Sequence, residues 1–189
     1  MGVSGIVLAG GVSRRLGRNK AIEPVGGEPL ISRVIGRLSR ITDETVVVVA
    51  DAQKGGELPL PDSTRLASDR YPGGGSLGGI FTGLCAAEMD WGIVVACDMP
   101  FLNTEMLADM LSKREGYDIV MPVLDGRPEP THAVYSKTCL PYMERRLQAN
   151  ELKIADFFDE VLVNYFGQSE IEGFDQDHLS FFNVNTQED

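Results

Sequence analysis

Four short runs of apolar and β-branched residues limit most strongly what this chain can fold into. Each run lacks the polar alternation of a half-exposed strand, and each is too short to be a buried helix. We therefore predict strands that are buried on both faces, as in a parallel sheet. The four runs are GIVLA (5–9), TVVVVA (45–50), GIVVAC (92–97) and DIVMP (118–122).

The segments between these runs predict helices. From Pro29 to Ile41, apolar residues recur at helical spacing, and proline is favoured at the first position of a helix. Further helices are predicted from about Leu77 to Glu88, and from Asn103, as the N-cap, to about Lys113. Strands that alternate with helices predict an open α/β sandwich.

The alternation of apolar strand runs with helical segments is less regular after Pro122. We predict a strand at 131–136, a helix at 140–149 and a strand within 161–166, with surface loops at 54–63 and 167–177. No linker, repeat or low-complexity tract interrupts the sequence, so we expect one domain over residues 1–189.

Charge and cysteine content exclude several classes of function. The net charge of −11 disfavours binding to long nucleic acids or anionic membranes, which requires broad basic surfaces. No apolar stretch reaches the roughly 18 residues of a membrane span. The three cysteines are far apart and form no CxxC pair, which argues against a disulfide framework or a thiolate zinc site. We expect a cytoplasmic protein.

The stretch LAGGVSRRLGRNK (8–20) concentrates four basic residues within seven positions of this acidic chain. Gly10 and Gly11 follow the first strand, where backbone N–H groups without neighbouring Cβ atoms can approach an anion. Arg15 and Lys20 can supply the opposing charge, so the stretch predicts a phosphate cradle. The spacing does not match a Walker A loop. An ordinary solvated glycine turn remains the alternative.

Asp98 lies where the buried run 92–97 ends, and a carboxylate in that position is a natural ligand for magnesium that carries nucleotide phosphates. The alternative is a cap of the following helix. Cys97 is interpreted as a buried strand residue because no histidine or cationic cluster near it in sequence would lower its pKa. His132 and His178 have neither metal-ligand nor triad spacing, and we interpret both as structural.

The glycines of GGGSLGG (73–79) formally satisfy the GxGxxG pattern of dinucleotide-binding folds. Arg70, Tyr71 and Pro72 separate them from the preceding strand, so the tight strand-to-helix turn of that motif is missing. We interpret the stretch as a loop whose small residues leave space for a base or a sugar.

The stretch at 8–20 resembles the LAGGxSxRMGxxK signature of nucleotidyltransferases, and among them that of molybdenum cofactor guanylyltransferases. Four more segments resemble the same family in order: GGSLGGIFTGL (74–84) after Asp69, VACDMPFL (95–102), RPEPTHAVY (127–135) and FFNVNTQED (181–189). The resemblance implies a single-domain three-layer α/β/α sandwich of the Rossmann-like, GT-A-like nucleotidyltransferase type with a mainly parallel sheet. It also implies Mg²⁺-dependent transfer of GMP from GTP to molybdopterin with release of pyrophosphate.

The same resemblance implies a set of site residues. Arg15, Lys20 and Asp98 would be catalytic, with Asp98 as the metal ligand. The residues implied in nucleotide binding are Leu8, Ala9, Gly10, Gly11, Arg15, Lys20, Asp69, Gly78 and Asp98. Those implied in binding the acceptor, molybdopterin, are Arg127, Asn183 and Asn185. Other proteins of molybdenum cofactor biosynthesis, or those that accept the product, are implied as partners.

The sequence departs from the family pattern at a few positions. Leu16 replaces the methionine of the family pattern, and Ser76 and Gln187 each replace a proline. Asn19 occupies a position where the family commonly has an acidic residue. The sequence given ends at Asp189, before a short helix that usually follows in the family, which places the acceptor site in question more than the GTP site. Three alternatives stay open: transfer of CMP to molybdopterin, transfer to a sugar phosphate, and a module that binds without catalysis.

Overall fold

An eight-stranded mixed sheet and a small two-stranded sheet form the framework of residues 2–10, 20–51 and 56–184, which the computed structural model describes. The strands are β1 (Ser4–Leu8), β2 (Pro24–Val25), β3 (Glu28–Pro29), β4 (Glu44–Val49), β5 (Thr64–Ser68), β6 (Trp91–Ala96), β7 (Ile119–Leu124), β8 (Arg127–Pro128), β9 (His132–Ser136) and β10 (Val163–Phe166). The helices are α1 (Leu30–Leu38), α2 (Gly75–Ala86), α3 (Thr104–Ser112), α4 (Leu140–Gln148) and α5 (Gln168–Glu172). Short 3₁₀ helices span Lys20–Ile22, Lys137–Cys139, Ile154–Glu160 and Leu179–Phe181.

The large sheet has the order β10-β7-β9-β6-β1-β4-β5, and β8 forms a hairpin with β7. Strands β5, β4, β1 and β6 pair in parallel, as do β7 and β10. Strand β9 is antiparallel to both of its neighbours, β6 and β7. The mainly parallel sheet expected from the unalternating apolar runs is therefore confirmed.

The order of strands reverses at β1. The chain passes from β1 outward to β4 and β5, and then returns to β6 on the other side of β1. The carboxyl ends of β1 and β6 are neighbours there, and the N–H of Cys97 donates a hydrogen bond of 3.1 Å to the carbonyl oxygen of Leu8. Ligands of open α/β sheets bind at such a reversal, so this edge is where a site is expected.

Helices cover both faces of the sheet. Alternate strand residues such as Val7 and Val95 pack in one buried cluster with α1 and α3, while Ile6 and Val94 pack in a second cluster with α2 and α4. Because every central strand contributes to both clusters, its sequence is apolar throughout. The three-layer α/β/α arrangement is confirmed.

Two local features position the elements around the site. Helix α2 lies close to β1 because Gly83 has no side chain: a Cβ atom there would overlap the Ile6 side chain. Helix α3 begins where predicted, since the Asn103 side chain accepts a hydrogen bond of 3.0 Å from the N–H of Met106. No helix within the described residues is long and apolar enough to cross a membrane.

The expectation that residues 167–177 form only a surface loop was wrong. Helix α5 occupies Gln168–Glu172, and its Ile171 is completely buried in the cluster on the α1 side of the sheet. The segment has too few apolar residues to show a helical period, so the sequence pattern alone missed a helix that buries a single side chain.

Candidate active site

Lys20 and Asp98 form an ion pair at the reversal of strand order. The Lys20 Nζ atom lies 2.8 Å from Asp98 Oδ2, although the two residues are 78 positions apart in the chain. Asp98 follows β6 by two residues, and Lys20 begins the first 3₁₀ helix. The side chains are only 14% and 23% exposed, so both charges are partly desolvated. The structure thus brings together two of the three residues expected to be catalytic.

The carboxylate of Asp98 suits a hard divalent cation. Its Oδ2 atom already contacts a cationic group, the Lys20 ammonium, so the position favours positive charge. Among the described residues, no cluster of three or more His, Cys, Asp or Glu side chains could enclose a metal ion. A single carboxylate that leaves most coordination positions to phosphate and water is the usual donor set for Mg²⁺ and is unlike that of zinc.

A pocket of about 450 Å³ lies at the carboxyl ends of β1, β4 and β5 and at the start of α2. Neither Lys20 nor Asp98 lines it, but its residue Leu8 accepts the hydrogen bond from Cys97, the residue before Asp98. Three residues expected to bind nucleotide line it: Leu8, Gly10 and Asp69. Ala9 does not line it, because its side chain packs against the core on the opposite face of the sheet. The lining residues are Leu8, Gly10, Val48, Val49, Ala50, Asp69, Pro72, Gly73, Gly75, Ser76 and Gly79.

Asp69 is held in the pocket wall through one oxygen. Its Oδ1 atom accepts hydrogen bonds from the Tyr71 N–H at 3.0 Å and from the Thr82 hydroxyl at 3.2 Å. The Thr82 oxygen in turn accepts a hydrogen bond of 3.0 Å from the N–H of Arg70. Within the part of the chain that the structure describes, Oδ2 receives no hydrogen bond. The carboxylate is therefore fixed in orientation and keeps one oxygen for a ligand.

Gly78 lets helix α2 approach this carboxylate. A Cβ atom at position 78 would lie 3.3 Å from Asp69 Oδ1 and 3.2 Å from the carbonyl oxygen of Tyr71. Gly78 does not itself line the pocket, so its contribution is to the position of Asp69.

The loop between β5 and α2 lines one side of the pocket. Gly73 and Gly75 have φ angles of 89° and 60°, in the left-handed region that favours glycine. Apart from neighbours along the chain, no atom of the described residues lies within 4 Å of where their Cβ atoms would be. Since six residues separate Ser68 from Gly75, the tight turn of a dinucleotide-binding motif is missing, as the sequence indicated.

Two of the three residues expected to bind the acceptor, Asn183 and Arg127, lie along the same edge of the sheet. Asn183 is exposed and precedes Val184, whose N–H donates a hydrogen bond of 2.9 Å to the Asp98 carbonyl oxygen. Arg127 is exposed in β8, which follows the Asp125–Gly126 turn at the carboxyl end of β7. Gly11, Arg15 and Asn185 lie outside the described residues.

Sequence reasoning missed Thr82, which orients Asp69. The available signal was a single polar residue in the otherwise apolar segment GIFTGL (79–84), since a buried hydroxyl needs a partner. Thr82 is almost completely buried, and Asp69 is that partner.

The Cys97 thiol and the His132 imidazole near the site have pKa values unsuited to catalysis at neutral pH. Burial raises the pKa of the Cys97 thiol to about 12, and the adjacent Asp98 carboxylate adds to the rise. Burial lowers the pKa of His132 to about 4, and its ring packs against Phe181 with the ring centres 4.6 Å apart. The environment of His132 agrees with the structural role expected for it. The expectation of a buried strand residue was wrong for Cys97, which follows the end of β6 and is only partly buried.

Comparison with known proteins identifies the family. Residues 5–162 match the model of the MobA-like NTP transferase domain. A probable molybdenum cofactor guanylyltransferase from Pelotomaculum thermopropionicum is 39% identical over 98% of this chain and 89% of its own length. The molybdenum cofactor guanylyltransferase of Desulfosudis oleivorans is 34% identical over 99% of this chain and 92% of its own.

A solved structure is similar over the same span. The crystal structure of molybdopterin-guanine dinucleotide biosynthesis protein A from Archaeoglobus fulgidus superposes with a TM-score of 0.84 and 30% identity, covering 98% of this chain and 93% of that one. The fold is thus shared with a solved dinucleotide biosynthesis protein over nearly the whole chain, and the chain belongs to the MobA-like NTP transferase family, together with the curated molybdenum cofactor guanylyltransferases.

Proposed function

We propose that this nucleotidyltransferase transfers GMP from GTP to molybdopterin, with Mg²⁺, and releases pyrophosphate. The observation that carries the proposal is that the Lys20–Asp98 ion pair and a pocket of about 450 Å³ lie at the same carboxyl edge of the sheet, joined through the Cys97–Leu8 hydrogen bond. A volume of this order accommodates a nucleoside. The names of the relatives favour guanylyl transfer over the other nucleotidyl transfers.

The pocket receives the base and ribose of GTP. Leu8 and Val48 offer apolar contact, Gly10 and Gly73 leave backbone accessible, and Asp69 presents its Oδ2 atom as a hydrogen-bond acceptor. The ribose hydroxyls and the N–H groups of guanine can each donate a hydrogen bond to such an oxygen. The polyphosphate then extends from the pocket toward Lys20 and Asp98.

Charge on the polyphosphate is neutralised by this chain's own cations and by the metal. Asp98 would hold the magnesium ion, which supplies positive charge to the phosphate oxygens when bound. Lys20 contributes an ammonium at the same place, and Arg15 is proposed to add a guanidinium. Three positive groups around one polyphosphate favour departure of the pyrophosphate.

No protein nucleophile is required. A phosphate oxygen of molybdopterin attacks the α-phosphorus of GTP and forms the new P–O bond, while the bond to the β-phosphate oxygen breaks and its electrons leave with pyrophosphate. The Cys97 thiol, with its pKa near 12, stays protonated and does not compete. The protein's contribution is to hold the two substrates in line and to neutralise charge.

The acceptor is proposed to approach from the side of Asn183, Asn185 and Arg127. Asn183 lies next to the backbone contact between Val184 and Asp98, so a molecule bound there is close to the carboxylate. Arg127 offers an exposed guanidinium along the same edge for the acceptor's phosphate.

Incubation of the protein with GTP, Mg²⁺ and molybdopterin tests the proposal, with mass spectrometry to detect the guanylylated product. We expect the dinucleotide and one equivalent of pyrophosphate, and neither without acceptor. A thermal-shift panel of GTP, CTP, ATP and UTP with Mg²⁺ separates the alternatives. Stabilisation by CTP alone would indicate a cytidylyltransferase, and GTP binding with no pyrophosphate release in the presence of acceptor would indicate a binding module.

A further inference from the structure

We propose that the Lys20 ammonium and the divalent cation are alternative partners of the Asp98 carboxylate, so that the metal displaces Lys20 and releases it toward the nucleotide. The inference rests on the proposed function, because it uses the same carboxylate as the metal ligand. Beyond that function, we infer that the Lys20 ammonium neutralises the Asp98 carboxylate until the metal binds there.

The contact geometry carries the first step. Lys20 Nζ lies 2.8 Å from Oδ2, the distance of a charge-assisted hydrogen bond. That oxygen cannot keep this bond and also hold a dication without bringing two positive groups into contact. Because the Lys20 and Asp98 side chains are only 14% and 23% exposed, water would screen the repulsion between the ammonium and the dication incompletely.

The local structure allows the exchange. Lys20 starts the 3₁₀ helix Lys20–Ile22, whose Ala21 is buried and anchors the backbone. The lysine side chain carries its compact charge on a flexible four-carbon stem. The ammonium can therefore leave Oδ2 by side-chain rotation while the backbone of Lys20 stays in place.

Two consequences follow for binding. In the absence of nucleotide, metal must replace an existing ion pair, so free metal binds weakly. With nucleotide, the displaced ammonium finds phosphate oxygens, so metal and nucleotide strengthen each other's binding by the same factor. The carboxylate is meanwhile never left partly buried without a cation.

The test measures Mn²⁺ binding by electron paramagnetic resonance in the absence of any nucleotide. Lys20→Met keeps the length of the side chain and removes its charge, and we expect it to bind Mn²⁺ about tenfold or more tightly than the wild type. Lys153→Met removes the same charge from a side chain that is 77% exposed and paired only loosely with Asp156. We expect that control to change Mn²⁺ affinity less than about twofold.

Asp98→Asn should abolish the Mn²⁺ binding that Lys20→Met strengthens. The inference is overturned if Lys20→Met binds Mn²⁺ no more tightly than the wild type, or if Asp98→Asn retains the wild-type affinity. The proposed function is tested separately, since a protein that passes the Mn²⁺ test and yet forms no guanylylated product refutes only the proposed function.

A second measurement observes the wild-type protein directly and needs a variant only to assign one signal. The chain has only five lysines, so the ε-CH₂ signal of Lys20 can be resolved by NMR and assigned with Lys20→Arg. We expect this signal alone to shift strongly on saturation with Mg²⁺. An unchanged Lys20 signal at saturating Mg²⁺ overturns the displacement.

Discussion

The backbone N–H of Val184 donates a hydrogen bond of 2.9 Å to the carbonyl oxygen of Asp98. The segment that carries Asn183 is therefore attached to the backbone of the residue proposed to hold the metal, and this hydrogen bond does not involve the Asp98 side chain. Nearby, the Ser180 hydroxyl accepts a hydrogen bond of 3.0 Å from the Asn103 N–H. The Asp98 carboxylate can thus be altered while both contacts persist.

Replacement of Asp98 by asparagine should separate catalysis from folding. The lost ion pair is only 14% and 23% exposed, but the flexible Lys20 side chain can turn toward water, so we expect a loss of about 1–2 kcal/mol in the free energy of unfolding. The transition state should lose several kcal/mol, which lowers the rate of pyrophosphate release by roughly a hundredfold or more. Asp109→Asn is the matched control, because Asp109 also pairs with a lysine, Lys113, at 2.8 Å but lies on α3. Equal rates for Asp98→Asn and Asp109→Asn would refute the role of Asp98.

Gly78→Ala should weaken nucleotide binding through Asp69. The added Cβ would lie 3.3 Å from Asp69 Oδ1 and 3.2 Å from the Tyr71 carbonyl oxygen, so the carboxylate or helix α2 must shift. We expect GTP affinity, measured by calorimetry, to fall about tenfold, which corresponds to about 1.4 kcal/mol. Gly36→Ala is the control: position 36 is exposed on α1, with no atom within 4 Å of the new Cβ. It should raise stability by about 0.5–1 kcal/mol and leave GTP affinity unchanged.

His132 should make stability depend on pH. Burial lowers its pKa from 6.5 to about 4 in the folded chain, so between these values the unfolded chain binds a proton that the folded chain does not. The wild type should therefore lose about 3 kcal/mol of unfolding free energy as pH falls from about 7 to 4, in addition to the effect of its carboxylates. His132→Leu should remove that contribution.

Urea denaturation across this pH range measures the difference. Neither ring nitrogen of His132 has a hydrogen-bond partner within the described residues, so leucine forfeits no such bond at pH 7. His178→Asn is the control, since asparagine tolerates the φ angle of 55° at that position. If His132→Leu and the wild type lose the same unfolding free energy as pH falls from about 7 to 4, His132 is not the source of the pH dependence.

Asn103→Ala should destabilise the start of α3. The Asn103 side chain accepts a hydrogen bond from the Met106 N–H and donates one of 3.0 Å to the carbonyl oxygen of Phe174, so two contacts disappear. We expect a loss of about 1–2 kcal/mol in unfolding free energy, measured by urea denaturation. Asn103→Ser keeps a capping oxygen and should recover about half of the unfolding free energy that Asn103→Ala loses. Equal stability of the alanine and serine variants would contradict the cap.

Local sequence pattern was sufficient for the buried framework. The apolar runs located β1, β4, β6 and β7 within one or two residues, because a strand covered on both faces must be apolar throughout. Strand β5 gave no such run: it lies at the edge of the sheet, where Arg65 and Leu66 are exposed. The N-cap at Asn103 was also predictable, since capping is a contact within one turn of helix.

The sequence by itself determined the layers, the ends of the four buried strands β1, β4, β6 and β7, and the segments that resemble the family, because each depends on neighbours along the chain. Only the tertiary structure decided that Lys20 meets Asp98, that Thr82 holds one oxygen of Asp69, and that β9 runs antiparallel between β6 and β7. These are contacts between residues distant in sequence, and periodicity reports which face of an element is buried but not which other element will cover it. The order of the strands supplies that partner, and here it places a cation and a carboxylate at one edge of the sheet.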